Sequence, residues 1–163
     1  MTLQELNALD EPKAVEALMK CCGSARWAMA VERRRPFADE KALFAEAGEA
    51  WTRCGPDDWR EAFSHHPKIG AKKADGWAKG EQSGVASATT SVLEELAAAN
   101  ERYAAKFGFI FIVCATGKSA DEMLGLLKAR LPNDEKTELK VAAGEQAKIT
   151  RLRLEKLLSS AHG

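Results

Sequence analysis

Apolar residues recur at helical spacing along most of the 163-residue chain, and only one short run favours extended structure. That run, residues 109–115, is rich in β-branched and aromatic residues, so by pattern alone it could be a buried strand or a buried helix segment. One lone strand cannot form a sheet. The pattern therefore predicts an all-α fold: a single domain, residues 1–163, of about seven or eight helices with one short extended apolar segment.

Capping residues and breakers set the bounds of the predicted helices. Apolar periodicity between them predicts helices at residues 3–9, 10–22, 25–32, 40–53, 57–63, 87–107, 119–131 and 135–158. The stretch 65–84 has no clear period and contains several glycines. A loop this long is uncommon inside a compact domain unless it serves a function.

The charges of the chain are balanced, with 24 Lys and Arg against 24 Asp and Glu. Such a chain has no broad attraction for nucleic acid or anionic lipid, and the basic cluster 33–35 beside acidic residues is interpreted as a solvated turn. Mean hydropathy is −0.32, and no apolar run approaches the roughly 20 residues of a membrane span. We therefore expect no nucleic acid and no membrane as partners.

The sequence also indicates the cellular compartment. The four cysteines include no CxxC pair, which favours a reducing compartment and a role as small buried hydrophobes. The first residues, MTLQELNALDEP, are unlike a signal peptide, and the last three are not a peroxisomal address. A cytoplasmic location is the expectation.

Two motifs resemble ligand sites but lack a necessary part. Gly117-Lys118-Ser119 follows an apolar run as in a phosphate-binding loop, but that loop needs a glycine where this chain has Ile112. Gly117 is therefore expected to break the backbone and Ser119 to cap the next helix. His65 and His66 are adjacent and point in different directions, so no metal site is predicted.

Three features depart from an ordinary helical core. Pro67 pushes His66 out of the α region, so the imidazole can point into a cavity, although a structural or exposed histidine also fits. Glu81 and Gln82 place a carboxylate beside an amide, which suits a polar heterocycle but also a solvated loop or the first turn of the next helix. Arg153 lies in an apolar stripe, where burial requires an anionic partner; a structural ion pair or a snorkelling side chain is the alternative.

Several short motifs occur together in a specific order and spacing: Arg35-Pro36-Phe37, His66-Pro67-x-Ile69-Gly70, Glu81-Gln82, Asn100-x-x-Tyr103-x-x-Lys106-Phe107-Gly108-Phe109, the segment 111–115, and Ile149-Thr150-x-Leu152-Arg153-Leu154. By these motifs the chain resembles the OHCU decarboxylases. These are enzymes of uric acid breakdown whose substrate is 2-oxo-4-hydroxy-4-carboxy-5-ureidoimidazoline. The resemblance covers nearly the whole chain.

The resemblance implies an all-helical enzyme, usually a homodimer, that releases CO2 to give (S)-allantoin without a metal or organic cofactor. It implies catalytic roles for His66, Glu81 and Arg153, and substrate contacts by Pro67, Glu81, Gln82 and Arg153. It also implies a pocket wall whose backbone binds the substrate ring, formed by Phe111, Ile112, Val113, Cys114 and Ala115. A non-catalytic helical binding module, and a cofactor-free lyase or hydrolase acting on a related ureido compound, stay open as alternatives.

Overall fold

The fold is helical throughout the part of the chain that the computed structural model describes, residues 1–69, 76–83 and 89–159. Within these ranges the helices are α1 (Leu3–Ala8), α2 (Glu11–Cys21), α3 (Ala25–Glu32), α4 (Glu40–Arg53), α5 (Pro56–Ser64), α6 (Gly76–Glu81), α7 (Thr90–Phe107), α8 (Ala120–Arg130) and α9 (Glu135–Ser159). The all-α prediction is confirmed. Helix α6 lies in the stretch that was expected to be a loop. The predicted helix start at residue 87 and the motif residue Gly70 lie outside the described residues.

Helix starts follow the capping chemistry of the sequence. The side chains of Thr2, Asp10, Ser24 and Asp39 each accept a hydrogen bond from a backbone N–H in the first turn of α1 to α4. These bonds satisfy donors that a helix start leaves unpaired. The first four helices therefore begin where local sequence specifies.

The Gly117-Lys118-Ser119 motif begins a helix, as expected. Gly117 has φ +78°, a left-handed conformation that glycine adopts without steric cost. Ser119 caps α8, and the Glu122 side chain returns a bond to the Ser119 N–H, which completes a capping box. The Nζ of Lys118 donates to the carbonyl of Cys114 at 2.7 Å.

The chain divides into two compact units, one comprising Met1–Ala62 and the chain from Ala147 onward, the other Phe63–Gln146. In the first unit α3 packs against both α2 and α4. Its core includes Trp27, whose indole N–H donates to the carbonyl of Ala47 at 2.9 Å. That residues 1–163 act as a single domain stays a prediction.

Arg33 and Arg34 lie in an exposed turn, as the interpretation of the basic cluster predicts, but Arg35 does not. Its side chain is only 10% exposed, and its Nη1 donates to the carbonyls of Leu6 and Leu9, each at 2.7 Å. Its Nη2 pairs with Glu32 at 2.9 Å. Arg35 therefore binds carbonyl groups at the end of α1, which the helix itself cannot satisfy.

The second unit has an aromatic core. Helix α7 packs against α8, and Tyr103 of α7 lies within 6 Å, ring centre to ring centre, of Phe107, Phe109 and Phe111. The apolar run 109–115 is neither helix nor strand, and its residues other than Ile110 are buried. Backbone groups in such a segment need partners outside a regular ladder. Among the described residues, no helix combines the length and apolar composition that crossing a bilayer requires.

Candidate active site

His66 lies just after α5 and is half-buried. Its backbone N–H donates to the carbonyl of Phe63 at 3.2 Å. Its imidazole Nε2 lies 2.6 Å from Oε1 of Gln146, a side chain on α9 with no solvent exposure. His66 is therefore not a fully exposed histidine, while the alternative of a structural histidine stays open.

The residues that follow His66 are fixed from α7. The Nδ2 of Asn100 donates to the carbonyl of Ile69 at 3.1 Å, and its buried Oδ1 has no hydrogen-bond partner among the described residues. The intervening Lys68 is exposed and pairs with Glu101 at 2.8 Å, and this hydrogen bond lowers the pKa of Glu101. The His66-Pro67 turn is thus anchored on both sides, by Gln146 and by Asn100.

Glu81 and Gln82 are more than nine-tenths buried. Glu81 is the last residue of α6, and Gln82 follows it directly. Burying a carboxylate and an amide costs free energy unless polar partners meet them, so this burial does not fit a solvated loop. Both alternatives weighed for this pair, the solvated loop and the first turn of the next helix, are wrong.

The segment 111–115 is held by side chains from three places. Arg130 Nη1 donates to the Ile112 carbonyl at 2.7 Å, and the Cys114 N–H donates to Glu145 Oε1 at 3.1 Å. Lys118 binds the Cys114 carbonyl. Val113 is buried, and its backbone makes no hydrogen bond with the described residues. The same holds for the buried Phe111, so within this wall both residues have a backbone donor and acceptor that a ligand can bind.

A buried charged network supports the same segment. Arg130 and Glu138 form an ion pair at 2.5 Å, and the hydroxyl of Tyr103 donates to the same carboxylate oxygen of Glu138, also at 2.5 Å. Burial, and then the hydrogen bond to Glu138, raise the pKa of Tyr103. The guanidinium of Arg130 lies over the ring of Phe111, 4.5 Å from its centre. The network fixes both the side chain and the backbone of the wall.

Arg153 belongs to the other unit. It is partly exposed, and its Nη1 donates to the carbonyl of Lys20 at 3.4 Å. Its charge acts on the neighbouring thiols of Cys21 and Cys22, where burial nevertheless raises the pKa of each to about 12. Burial of this guanidinium in an apolar stripe is thus only partial. That Arg153 shares one pocket with His66 stays a prediction.

Sequence reasoning missed the residues that hold the site. Gln146, Glu145, Arg130 and Glu138 were not among the candidates. The signal that singled out Arg153, a polar residue in the apolar stripe of α9, also marks Gln146 and Glu138, both of which have no exposure. Among the described residues, no group of three His, Cys, Asp or Glu side chains is arranged to hold a metal ion.

A cavity of about 170 Å³ lies elsewhere, between α4 and the end of α9. Its lining includes Phe44, Trp51, Thr150 and Arg151. The exposed Arg151 lies over the Phe44 ring and pairs with Glu155. None of the predicted site residues lines this cavity.

The described residues form a helical fold with buried polar side chains around His66, and comparison with known proteins identifies the family. The model of the OHCU decarboxylase family matches residues 7–155. The chain belongs to that family, and the expectation drawn from its motifs is confirmed.

Individual relatives agree with this assignment. The chain is 41% identical over 147 residues to the Uric acid degradation bifunctional protein TTL of Arabidopsis thaliana, which aligns with 85% of this chain. It spans only 45% of that protein. It is 26% identical to the 2-oxo-4-hydroxy-4-carboxy-5-ureidoimidazoline decarboxylase of Haloferax volcanii, over 98% of each chain. A crystal structure of OHCU decarboxylase in the presence of (S)-allantoin superposes with a TM-score of 0.78 at 43% identity, over 86% of this chain and 96% of that one.

Proposed function

We propose that this chain decarboxylates 2-oxo-4-hydroxy-4-carboxy-5-ureidoimidazoline to (S)-allantoin in uric acid degradation. The observation that carries the proposal is the family match over residues 7–155, a range that contains every predicted site residue. The relative solved in the presence of (S)-allantoin supports the product. We propose a homodimer as the active form, on the family resemblance alone.

The chemistry of the substrate explains why a few polar side chains suffice. Loss of CO2 breaks the bond between the ring carbon and the carboxylate, and the electron pair of that bond must be accommodated. In this substrate the ring carbon adjoins a C=N bond, which accepts the pair. The nitrogen of that C=N bond takes up a proton as a C=C bond forms between the two ring carbons. The hydroxyl then loses its proton and becomes a carbonyl, and the carbon of the former C=N bond, which bears the ureido group, is protonated and becomes the stereocentre of allantoin. The substrate thus supplies the electron sink that an organic cofactor provides in other decarboxylases.

His66 has the proton role in this proposal. It accepts or holds the proton of the substrate hydroxyl and then assists protonation of the carbon. Imidazole suits both steps because its ordinary titration range lies near neutrality.

The remaining residues bind and orient the substrate. Arg153 binds an anionic or carbonyl oxygen through its planar set of donors. Glu81 and Gln82 bind the ureido or ring amides, and Glu81 also acts in catalysis together with His66 and Arg153. Pro67 contacts the substrate next to His66. The wall 111–115 excludes water, and the backbone of Val113 offers the ring a donor and an acceptor.

Product chirality tests the proposed reaction directly. Unassisted protonation occurs on both faces of a planar carbon and gives a racemate. Freshly generated substrate with this protein is therefore expected to give a growing circular dichroism signal of (S)-allantoin, while the same mixture without protein gives none. Racemic product formed at the uncatalysed rate would overturn the proposal.

Arg153→Ala is expected to lower kcat/KM by about 10- to 100-fold, the loss that follows from removing charge-assisted hydrogen bonds to a substrate anion. The fold should persist, since Arg153 is partly exposed. Initial rates from circular dichroism measure the effect. Arg151→Ala is the matched control on the same helix: Arg151 is exposed, and its removal should leave kcat/KM unchanged. Equal losses in both variants would contradict a substrate contact by Arg153.

A further inference from the structure

Gln146 is a fully buried amide in the middle of α9, and the proposed reaction assigns it no role. Its Oε1 lies 2.6 Å from Nε2 of His66, eighty residues away in sequence. Burying a glutamine side chain on an apolar helix face costs free energy unless its polar atoms form hydrogen bonds. In the structure, the Gln146 side chain holds the imidazole of His66 through this hydrogen bond.

The acceptor determines which imidazole nitrogen carries the proton. A neutral imidazole has one N–H donor and one basic nitrogen, and the hydrogen bond at one nitrogen fixes the tautomer. Oε1 of Gln146 accepts, so Nε2 donates and Nδ1 is the basic nitrogen. An amide does this without adding a charge, so it orients the ring while leaving the imidazole able to take up and release a proton.

The preceding residue of α9 holds the other part of the site. Oε1 of Glu145 accepts the N–H of Cys114 at 3.1 Å, within the predicted pocket wall. Two consecutive residues of one helix thus bind the imidazole and the wall backbone. Because both residues belong to α9, the position of the imidazole relative to the wall backbone depends on Glu145 and Gln146.

We propose that Gln146 is a positioning residue for His66: it fixes the ring orientation and the Nε2–H tautomer, so that Nδ1 exchanges the proton with the substrate. The catalytic part of this inference rests on the proposed decarboxylation. The tautomer itself is a property of the protein without substrate, and it can be measured separately.

The test compares Gln146→Leu and Gln146→Glu with the unmodified protein. Leucine has a similar volume and cannot accept a hydrogen bond, whereas glutamate accepts the same Nε2–H. Imidazole ¹⁵N spectra recorded over a range of pH report the tautomer, and His65→Asn simplifies their assignment. We expect the Nε2–H tautomer in the unmodified protein and in Gln146→Glu, and a mixture of tautomers in Gln146→Leu.

Activity gives the second measurement. Gln146→Leu is expected to lower kcat by about 10- to 100-fold with little change in KM, because a misplaced proton-transfer group slows chemistry more than it weakens binding. Leu139→Ala, also at a buried position of α9, controls for lost packing and should leave the His66 tautomer unchanged.

The outcomes separate this inference from the proposed function. An Nδ1–H tautomer in the unmodified protein, or unchanged spectra and turnover in Gln146→Leu, would overturn the role of Gln146 while leaving the decarboxylase intact. Absence of enantioselective turnover in the unmodified protein would overturn the proposed function, and the assignment of proton exchange to Nδ1 with it.

Discussion

His66→Asn is expected to lower kcat by about 10²- to 10⁴-fold, the usual contribution of a positioned general acid–base group. Asparagine is smaller than histidine but keeps an amide that can donate toward Gln146, so the fold should survive. Asparagine does not titrate near neutral pH and cannot relay the proton between the substrate hydroxyl and the ureido-bearing ring carbon. The measurement is the initial rate of (S)-allantoin formation by circular dichroism at saturating substrate.

The neighbouring histidine offers a matched control. His65 is exposed, carries the same side chain and lies one residue away from His66. His65→Asn should retain the unmodified kcat. Turnover in His66→Asn within threefold of the unmodified protein would remove the imidazole from the mechanism, and the chirality of its product would show whether face selection depends on other residues.

Helix positions were predictable because local chemistry specifies them. Ser24 and Asp39 are expected caps, and α3 and α4 begin at the next residue after each. The end of α7 is similarly local, since Gly108 takes a φ of +78° that other residues rarely adopt. Helix α6 was missed because its six residues include two glycines and are too few to show a periodic pattern.

The run 109–115 shows where periodicity stops being informative. Its β-branched and aromatic residues indicate burial, which is confirmed for all but Ile110, but they do not indicate which backbone conformation is buried. The conformation depends on partners distant in sequence. Arg130 binds the carbonyl of Ile112, and Glu145 binds the N–H of Cys114. Neither hydrogen bond leaves a pattern in the local sequence from which it could be predicted.

The candidate site likewise contains residues that the local sequence indicates and residues that it does not. His66, Glu81 and Gln82 attract attention because each breaks a local rule, and all three are held away from bulk solvent, His66 in part and the pair almost fully. Gln146, which holds His66, is an ordinary helix former, and its place in the apolar stripe of α9 marks it as unusual without indicating its partner. Its role depends on a hydrogen bond across eighty residues, which a helical pattern cannot reveal.

The ion pair behind the wall has the largest expected effect on stability. Glu138→Leu should lower the free energy of unfolding by about 3–5 kcal/mol, because it leaves the buried guanidinium of Arg130 without its counter-charge. The hydroxyl of Tyr103 loses its acceptor at the same time. Urea denaturation of the unmodified protein and the variant at one temperature measures the difference.

Two further variants show whether the loss comes from the unpaired charge. Arg130→Met with Glu138→Leu removes both charges and should recover most of the stability, since replacing a buried pair by apolar residues is often neutral. That double variant also loses the hydrogen bond to the Ile112 carbonyl, so its KM should be higher than that of the unmodified protein although it is stable.

The control is Glu155→Leu, which breaks an exposed pair with Arg151 on the same helix. It should change the free energy of unfolding by about 0.5 kcal/mol or less. A double variant as unstable as Glu138→Leu would mean that the lost hydrogen bonds, and not the unpaired guanidinium, account for the destabilisation.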